Sequence, residues 1–235
     1  MKYITLQVTP YQEKNGIITA FNEEGVITFK VPGLLSNKNQ FYMLNTPLSL
    51  IEPTFSPSKR GNSHILKEVE ILFSPLSKQM DEKYLNTINA LLEISRKLVD
   101  NEEKQIIFND LLNSLISLKQ NNEPYLVLLK YVLRVINLTG YGFQVNHCLR
   151  CNQKKDIVAF SFIEGGFICR NCFNEDDHND LSLVEMKLFR NIYLKDNYDF
   201  TSFDYQEKVV VNLLNGLAHF IGDAYGYSIN SLLIK

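Results

Sequence analysis

Cysteine is missing from this chain everywhere except one stretch: of 235 residues, all four cysteines fall between positions 148 and 172. Other absences bound the function. No GxxxxGK[ST], GxGxxG, HExxH or GxSxG occurs, which removes the common phosphate-cradling, dinucleotide, metalloprotease and nucleophile-elbow signatures. Four histidines are scattered and nominate no general base. These gaps predict a binding module rather than a catalyst, with an unrecognised hydrolase using the acidic loop Glu175-Asp176-Asp177-His178 as the remote catalytic alternative. Such a loop is more often simply solvated. No internal repeat and no low-complexity tract is present. The opening "MKYITLQVTP" has no apolar core of a secretion signal. The most apolar run, "YLVLLKYVLRVINL", is broken by Lys130 and Arg134 and falls short of the roughly 20 residues that a membrane span needs. It reads as a buried helix, and a cytoplasmic protein with no membrane contact is expected.

A strong positive charge is also lacking. The net charge is −2, so the whole molecule is not a polycation. Residues 1–77 carry seven basic and six acidic side chains, and residues 148–180 carry four and six. An anionic partner is best placed on the N-terminal third.

What is present falls into three parts. At roughly 150 residues per domain the length predicts one to two domains, long enough to bury a core without staples. The segments "ITLQVTPY", "GIITAFN", "GVITFKV", "FYMLNTPLSLIEP" and "HILKEVEILF" are short, rich in β-formers and separated by turn residues such as Lys14-Asn15-Gly16 and Asn22-Glu23-Glu24-Gly25. Five such strands predict a small barrel, with the oligonucleotide-binding (OB) barrel as one form and a generic β-domain as the other. From Asp81 the period turns helical. Leu85, Ile88, Leu91, Leu92, Ser95, Leu98 and Val99 share one face, and Ile107, Leu111, Leu115 and Leu118 another. A third helix, about Glu123 to Thr139, is apolar nearly all round apart from Lys130, Arg134 and Asn137, and belongs at the centre of a bundle. Further on, Ser182 and Glu185 form a capping-box pattern, and Asp204 is placed to cap a last long helix. The fold class is α+β: residues 1–77 as a five-stranded barrel, residues 78–235 as a helical domain with an insert at about 145–178.

That insert holds the cysteines. Cys148 and Cys151 form one CxxC, Cys169 and Cys172 the other, and 17 residues separate them. This is the spacing of a structural zinc site. Each CxxC presents two thiolates on one side of a tight knuckle, and two knuckles complete a tetrahedron at about 2.3 Å from the metal. A strand "IVAFSF", the turn Glu164-Gly165-Gly166 and a return strand "FIC" lie between, so the insert reads as a zinc ribbon. A cytosolic chain disfavours disulfides. Four thiolates leave no open position for a catalytic water, so the zinc is expected to be structural, with His147 and His178 flanking it as non-ligands.

The stretch "LTGYGFQVNHCLRCNQKKDIVAFSFIEGGFICRNC" resembles the RecO family of bacterial recombinational-repair proteins. Gly140-Tyr141-Gly142 before the first CxxC, and Phe160-Ser161 with Gly165-Gly166 before the second, carry the likeness. "GIITAFNEEGVITFKVPG" is similar to that family's opening hairpin, and the last helix with Gly222 and the closing "INSLLIK" fit as well. The resemblance implies an N-terminal OB-fold barrel and a helical domain carrying the zinc module. It implies binding to single- and double-stranded DNA, annealing of complementary strands, action on strands coated by single-stranded-DNA-binding protein, and help from RecR in loading RecA, by a protein expected to be a monomer. It also implies docking of the acidic, apolar tail of single-stranded-DNA-binding protein on the helical domain, where Lys130 and Arg134 are the candidate cations. The chain departs from the family in the loop after the third strand, "VPGLLSNKNQ", which has one cation, Lys38, where the family is rich in Arg and Lys. The candidate DNA-binding residues are Lys30, Lys38, Lys59 and Arg60. Tyr3, Tyr11, Phe21, Phe29 and Phe41 can stack on bases, although core positions are the commoner role for such side chains. The depleted loop keeps open a second class of function, a protein-binding scaffold of a repair complex with little DNA binding of its own.

Overall fold

The computed structural model describes residues 1–56, 64–75, 81–98, 103–120, 122–201 and 203–234. The first five strands are β1 (Tyr3–Tyr11), β2 (Asn15–Asn22), β3 (Gly25–Val31), β4 (Leu50–Ser56) and β5 (His64–Phe73). They close into a barrel in the order β1-β2-β3-β5-β4. All neighbours are antiparallel except β3 and β5, which run parallel at Phe29↔His64 and Lys30↔Ile65. The β2–β3 turn is held by one side chain: Asn22 Oδ1 accepts from the backbone N–H of Glu24 and of Gly25, each at 3.0 Å. Gly25 has φ +129°, a conformation that a Cβ would oppose. Ile18, Ala20, Phe29, Val31, Ile51 and Leu66 fill the interior, where alternate strand residues point inward.

The fourth strand is shorter than the sequence pattern predicts. "FYMLNTPLSLIEP" enters β4 only at Leu50; Tyr42–Asn45 form a 3-10 turn instead. Asn39 Oδ1 accepts from the Phe41 N–H at 2.8 Å and Asn45 Nδ2 donates to the Leu34 carbonyl at 3.0 Å. These local bonds compete with a strand ladder. They let Leu34, Phe41 and Leu44 plug the barrel while Tyr42 and Met43 face solvent.

Five helices follow: α1 (Glu82–Leu98), α2 (Lys104–Lys119), α3 (Pro124–Ile136), α4 (Leu183–Leu194) and α5 (Glu207–Tyr225). The hairpin β6 (Ile157–Ser161) and β7 (Gly166–Cys169) sits between α3 and α4. As its apolar circumference requires, α3 runs through the centre, with every residue from Tyr125 to Ile136 buried except Arg134. A wide helical turn at Asn137–Tyr141, with Gly140 at φ +92°, leads out of it. The capping box of α4 forms: Ser182 Oγ accepts from the Glu185 N–H at 3.3 Å, and Glu185 Oε2 accepts from the Ser182 N–H at 2.7 Å. Asp204 caps nothing, because α5 starts two residues later than its signal implies, behind Gln206.

The expected domain boundary at 77/78 lies outside the described residues. Either side of it, barrel and helices share one apolar core. Ile4, Leu6, Phe21, Leu48, Leu50 and Phe73 join the same cluster as Ile94, Ile107 and Phe108. The Phe21 and Phe108 rings meet edge to face at 5.7 Å, and the Arg96 guanidinium donates to the Leu6 carbonyl. Among the described residues no helix is long and apolar enough to cross a membrane.

Candidate functional site

The cysteine insert folds as its spacing predicts. In the first knuckle the Asn152 N–H donates to the Cys148 carbonyl at 2.9 Å, and Asn152 takes φ +63° to turn the chain. In the second, the N–H groups of Cys172 and Phe173 both donate to the Cys169 carbonyl at 3.0 Å. The hairpin between them explains the paired glycines. Gly165 has φ +83°, and a Cβ on Gly166 would stand 2.6 Å from the Gln144 carbonyl oxygen. That close approach exists because residue 144 bonds on both sides of this turn, to Gly165 and to Phe167, at 2.8 and 3.0 Å.

The result is a cluster of four Sγ atoms within 4.8 Å of one another. Cys151 and Cys169 stand 3.6 Å apart, too far for a disulfide bond of about 2.05 Å, and all four cysteines are free. A tetrahedron with legs of about 2.3 Å has edges of about 3.8 Å, which this packing matches. The electrostatics ask for a cation. Burial opposes ionisation of Cys148, but the backbone N–H groups of Cys169, Cys151 and Arg150 outweigh it and bring that thiol to about 6. Competition with Cys151, and burial after it, pushes Cys172 up to about 12. Four thiolates coexist at this distance only around a positive ion, so the donor set fits a tetrahedral metal. Among the described residues this is the one grouping of His, Cys, Asp or Glu arranged to hold a metal ion.

The acidic loop has a different use. Arg150, inside the first knuckle, forks onto Glu164 in the hairpin turn (Nε to Oε2, 3.0 Å) and onto Asp177 (2.7 and 2.8 Å), and also donates to the Cys172 carbonyl. The Arg150 bond holds the Asp177 carboxyl down at about 2. His178 faces Asp180 at 3.5 Å, and His147 turns Nδ1 to the Cys148 carbonyl at 3.1 Å. In the sequence Arg150 is legible only as one of the ribbon's few cations. Its role as a staple between knuckle, turn and acidic loop emerges from the fold.

At the barrel, one end gathers the candidate nucleic-acid contacts. The β1–β2 turn carries Lys14, the end of β3 carries Lys30, and the following loop carries Lys38. That loop is tied to the turn by Leu35 N–H donating to the Lys14 carbonyl at 3.0 Å and Gly33 N–H to Asn15 Oδ1 at 2.9 Å. Lys14 and Lys38 are exposed and Lys30 is half-buried. Lys30 Nζ lies 5.0 Å from the centre of the Tyr11 ring, a cation–π distance. Tyr11 is 37% exposed. Phe21, Phe29 and Phe41 are core instead, and Tyr3 packs edge-on against Phe55 at 6.0 Å. Lys59 and Arg60 lie outside the described residues.

The two cations of α3 are not the free pair that the helix pattern presents. Lys130 is 2% exposed. Its ammonium donates to the carbonyls of Ile192 (3.2 Å), Tyr193 (3.4 Å) and Lys195. These carbonyls lie at the C-terminal end of α4, past the reach of its regular ladder, where a cation also meets the negative end of the helix dipole. Lys130 therefore caps α4 and is not accessible to a partner's carboxylate. Arg134 Nε donates to both oxygens of Asp110 at 3.1 and 3.3 Å, and its side chain stays 36% exposed. Asp110, buried on α2, also accepts from the Tyr198 hydroxyl at 3.2 Å. The spacing of residues 130 and 134 reads as one strip, but their partners come from two other helices.

Comparison with known proteins bears on all of these parts. Residues 84–232 match the family model described as "Recombination protein O C terminal". The chain is similar to a DNA repair protein RecO of Bacillus pumilus, 24% identical over 97% of this chain and 90% of that protein. It is similar to one of Caldicellulosiruptor bescii, 27% identical over 75% and 72%, and to one of Bacillus subtilis, 22% identical over 74% and 69%. The family match spans more than half of the chain, taking in the helices and the cysteine ribbon, and so the chain belongs to the RecO family of DNA-repair proteins.

Proposed function

We propose that this chain is a DNA repair and recombination mediator without catalytic chemistry of its own. It binds single- and double-stranded DNA, anneals complementary strands, and works with RecR to load RecA on strands coated by single-stranded-DNA-binding protein. The observation that carries this reading is the barrel end where Lys14, Lys30, Lys38 and Tyr11 converge on tied loops. The β1–β2 turn at this end is one of the two loops with which OB barrels take oligonucleotides. Lysines hold phosphates without reading sequence, and an exposed ring beside a cation offers a stacking platform. The metal of the cysteine cluster is zinc, held by Cys148, Cys151, Cys169 and Cys172 in a closed structural site. The tail of single-stranded-DNA-binding protein docks on the helical domain with Arg134, not the buried Lys130, as the cation it meets.

A strand-annealing assay with no nucleotide cofactor, run over a ladder of salt concentrations, tests the reading. Annealing that weakens with salt supports it, with affinity falling by about 0.7 in log K per phosphate contact and per unit of log salt on a single strand. The second reading, a protein-binding scaffold, is favoured by one observation: the loop after β3 carries only Lys38. Wild-type protein that anneals nothing at low salt yet binds RecR would establish that reading instead.

A further inference from the structure

Residues 148–180 are acidic as a whole, but the fold sorts their charges. Glu164 and Asp177 are taken up by Arg150. Lys154 faces another way. It lines a cleft of about 350 Å³ between the ribbon and α4, together with Lys187 and Arg190 of α4, and no acidic residue lines it. In its apolar floor Val145, Phe167 and Met186 are only 1–4% exposed, with Ile157 half-buried beside them. Three cations reach solvent around it, since Lys154, Lys187 and Arg190 are all exposed. Leu183, 67% exposed at the rim, gives one apolar step. Arg190 is fixed in place by its Nε bond to the Val145 carbonyl at 3.0 Å. Lys187 and Arg190 stand three residues apart, on one helix face. Arg170, exposed, donates its N–H to the Asp156 carbonyl at 2.8 Å, which sets it beside Lys154 and Lys155. The Asp156 carboxylate in that turn is not among the groups lining the cleft.

Three cations around one cleft, with no carboxylate among them, recognise a row of anions. We infer that this cleft is a second phosphate-binding surface, which holds the backbone of a single nucleic-acid strand apart from the barrel. The inference rests on the reading of the chain as a nucleic-acid-binding protein, and it adds what annealing needs, a second place to hold a strand. Because the contacts are to phosphate, they are indifferent to sequence.

The test is Lys154→Glu with Lys187→Glu, both exposed, against Lys30→Glu with Lys38→Glu at the barrel. Each protein, loaded with metal, is titrated with a single-stranded oligonucleotide across a salt ladder, and urea unfolding and metal content are checked against wild type. The cleft variant should bind about tenfold or more weakly at low salt, with the salt slope shallower by about 1.4 because two phosphates are no longer neutralised. Unchanged affinity and slope in the cleft variant, with weakened binding in the barrel variant, would overturn the inference and leave the barrel reading standing. Oligonucleotide binding that holds while binding of an acidic Glu/Leu peptide is lost would also overturn it, and would give the cleft to a protein partner. Wild-type protein that binds no strand at any salt would sink both readings together.

Discussion

Replacing Lys130 by alanine should damage the fold rather than a binding site. The ammonium serves three carbonyls at the end of α4, and hydrogen bonds to a charged group contribute about 1.5–3 kcal/mol. Cutting back the buried stem leaves a cavity, and truncations of long buried side chains cost about 2–5 kcal/mol. The charge itself is expensive to bury, so the two losses are partly offset, and a net cost of about 2–5 kcal/mol is expected. At about 2–4 °C per kcal/mol in this size range, the melting temperature should fall by about 4–20 °C. Urea unfolding is the direct assay: the midpoint should drop with the slope unchanged. Lys130→Met keeps the stem and removes only the ammonium, so it should lose less. A further signature is pH. Burial, with the Arg134 charge next, lowers the Lys130 ammonium to about 8, against roughly 10.4 in an unfolded chain. Between those values the unfolded chain binds more protons than the folded one, so the lysine's contribution to stability rises with pH there. Wild type should gain on Lys130→Met from about pH 8 to about pH 10. An alanine variant with the wild-type urea midpoint would refute the capping role and return Lys130 to the surface.

Other changes have equally definite outcomes. Cys148→Ser should reduce bound zinc well below one per chain by metal analysis, and the ribbon should become protease-sensitive, because a metal site of this kind contributes its binding energy to folding. A metal-free wild-type protein with two disulfides would end that idea. Arg150→Ala frees the hairpin turn from the acidic loop, so a colorimetric chelator should strip the metal faster than from wild type, while Arg150→Lys, which cannot fork onto two carboxylates, should recover only part of the difference. Phe108→Ala should cost about 3–5 kcal/mol, and the barrel and helices should then melt together at a lower temperature, read by circular dichroism in the strand and helix regions.

How much of the fold and site is legible in the sequence depends on where each residue's partner lies. The two knuckles and the hairpin of the ribbon are legible, because the CxxC pairs and Gly165 shape local turns. The centrality of α3 is legible as well, since a helix apolar all round has only one place to go. The short β4 is not, because "FYMLNTP" has the composition of a strand and its fate is decided by Asn39 and Asn45, polar residues that bond to nearby backbone. Asp204 has the chemistry of a cap but stands two residues too early, between Phe203 and Tyr205, both packed against the core. Lys130 misleads most. A lysine on an apolar helix looks like an exposed cation, and its true partners lie more than sixty positions along the chain. The sorting of ribbon charges is hidden for a similar reason. A net count cannot tell that Arg150 absorbs two carboxylates, nor that Lys154 shares a cleft with two cations from a helix some thirty positions further on.

The apolar core common to barrel and helices has a practical and a mechanical consequence. A fragment cut just after β5 would carry Ile4, Leu6, Phe21, Leu48 and Phe73 into water, so DNA binding mapped on an isolated barrel would be read on a sticky, partly unfolded object. In the intact chain the same seam acts as a weld. A strand held at the barrel end is held at a distance and angle from the helices that this shared core sets. Any partner that presents a second strand must fit that geometry as it stands, much as a workpiece is brought to a fixed jig.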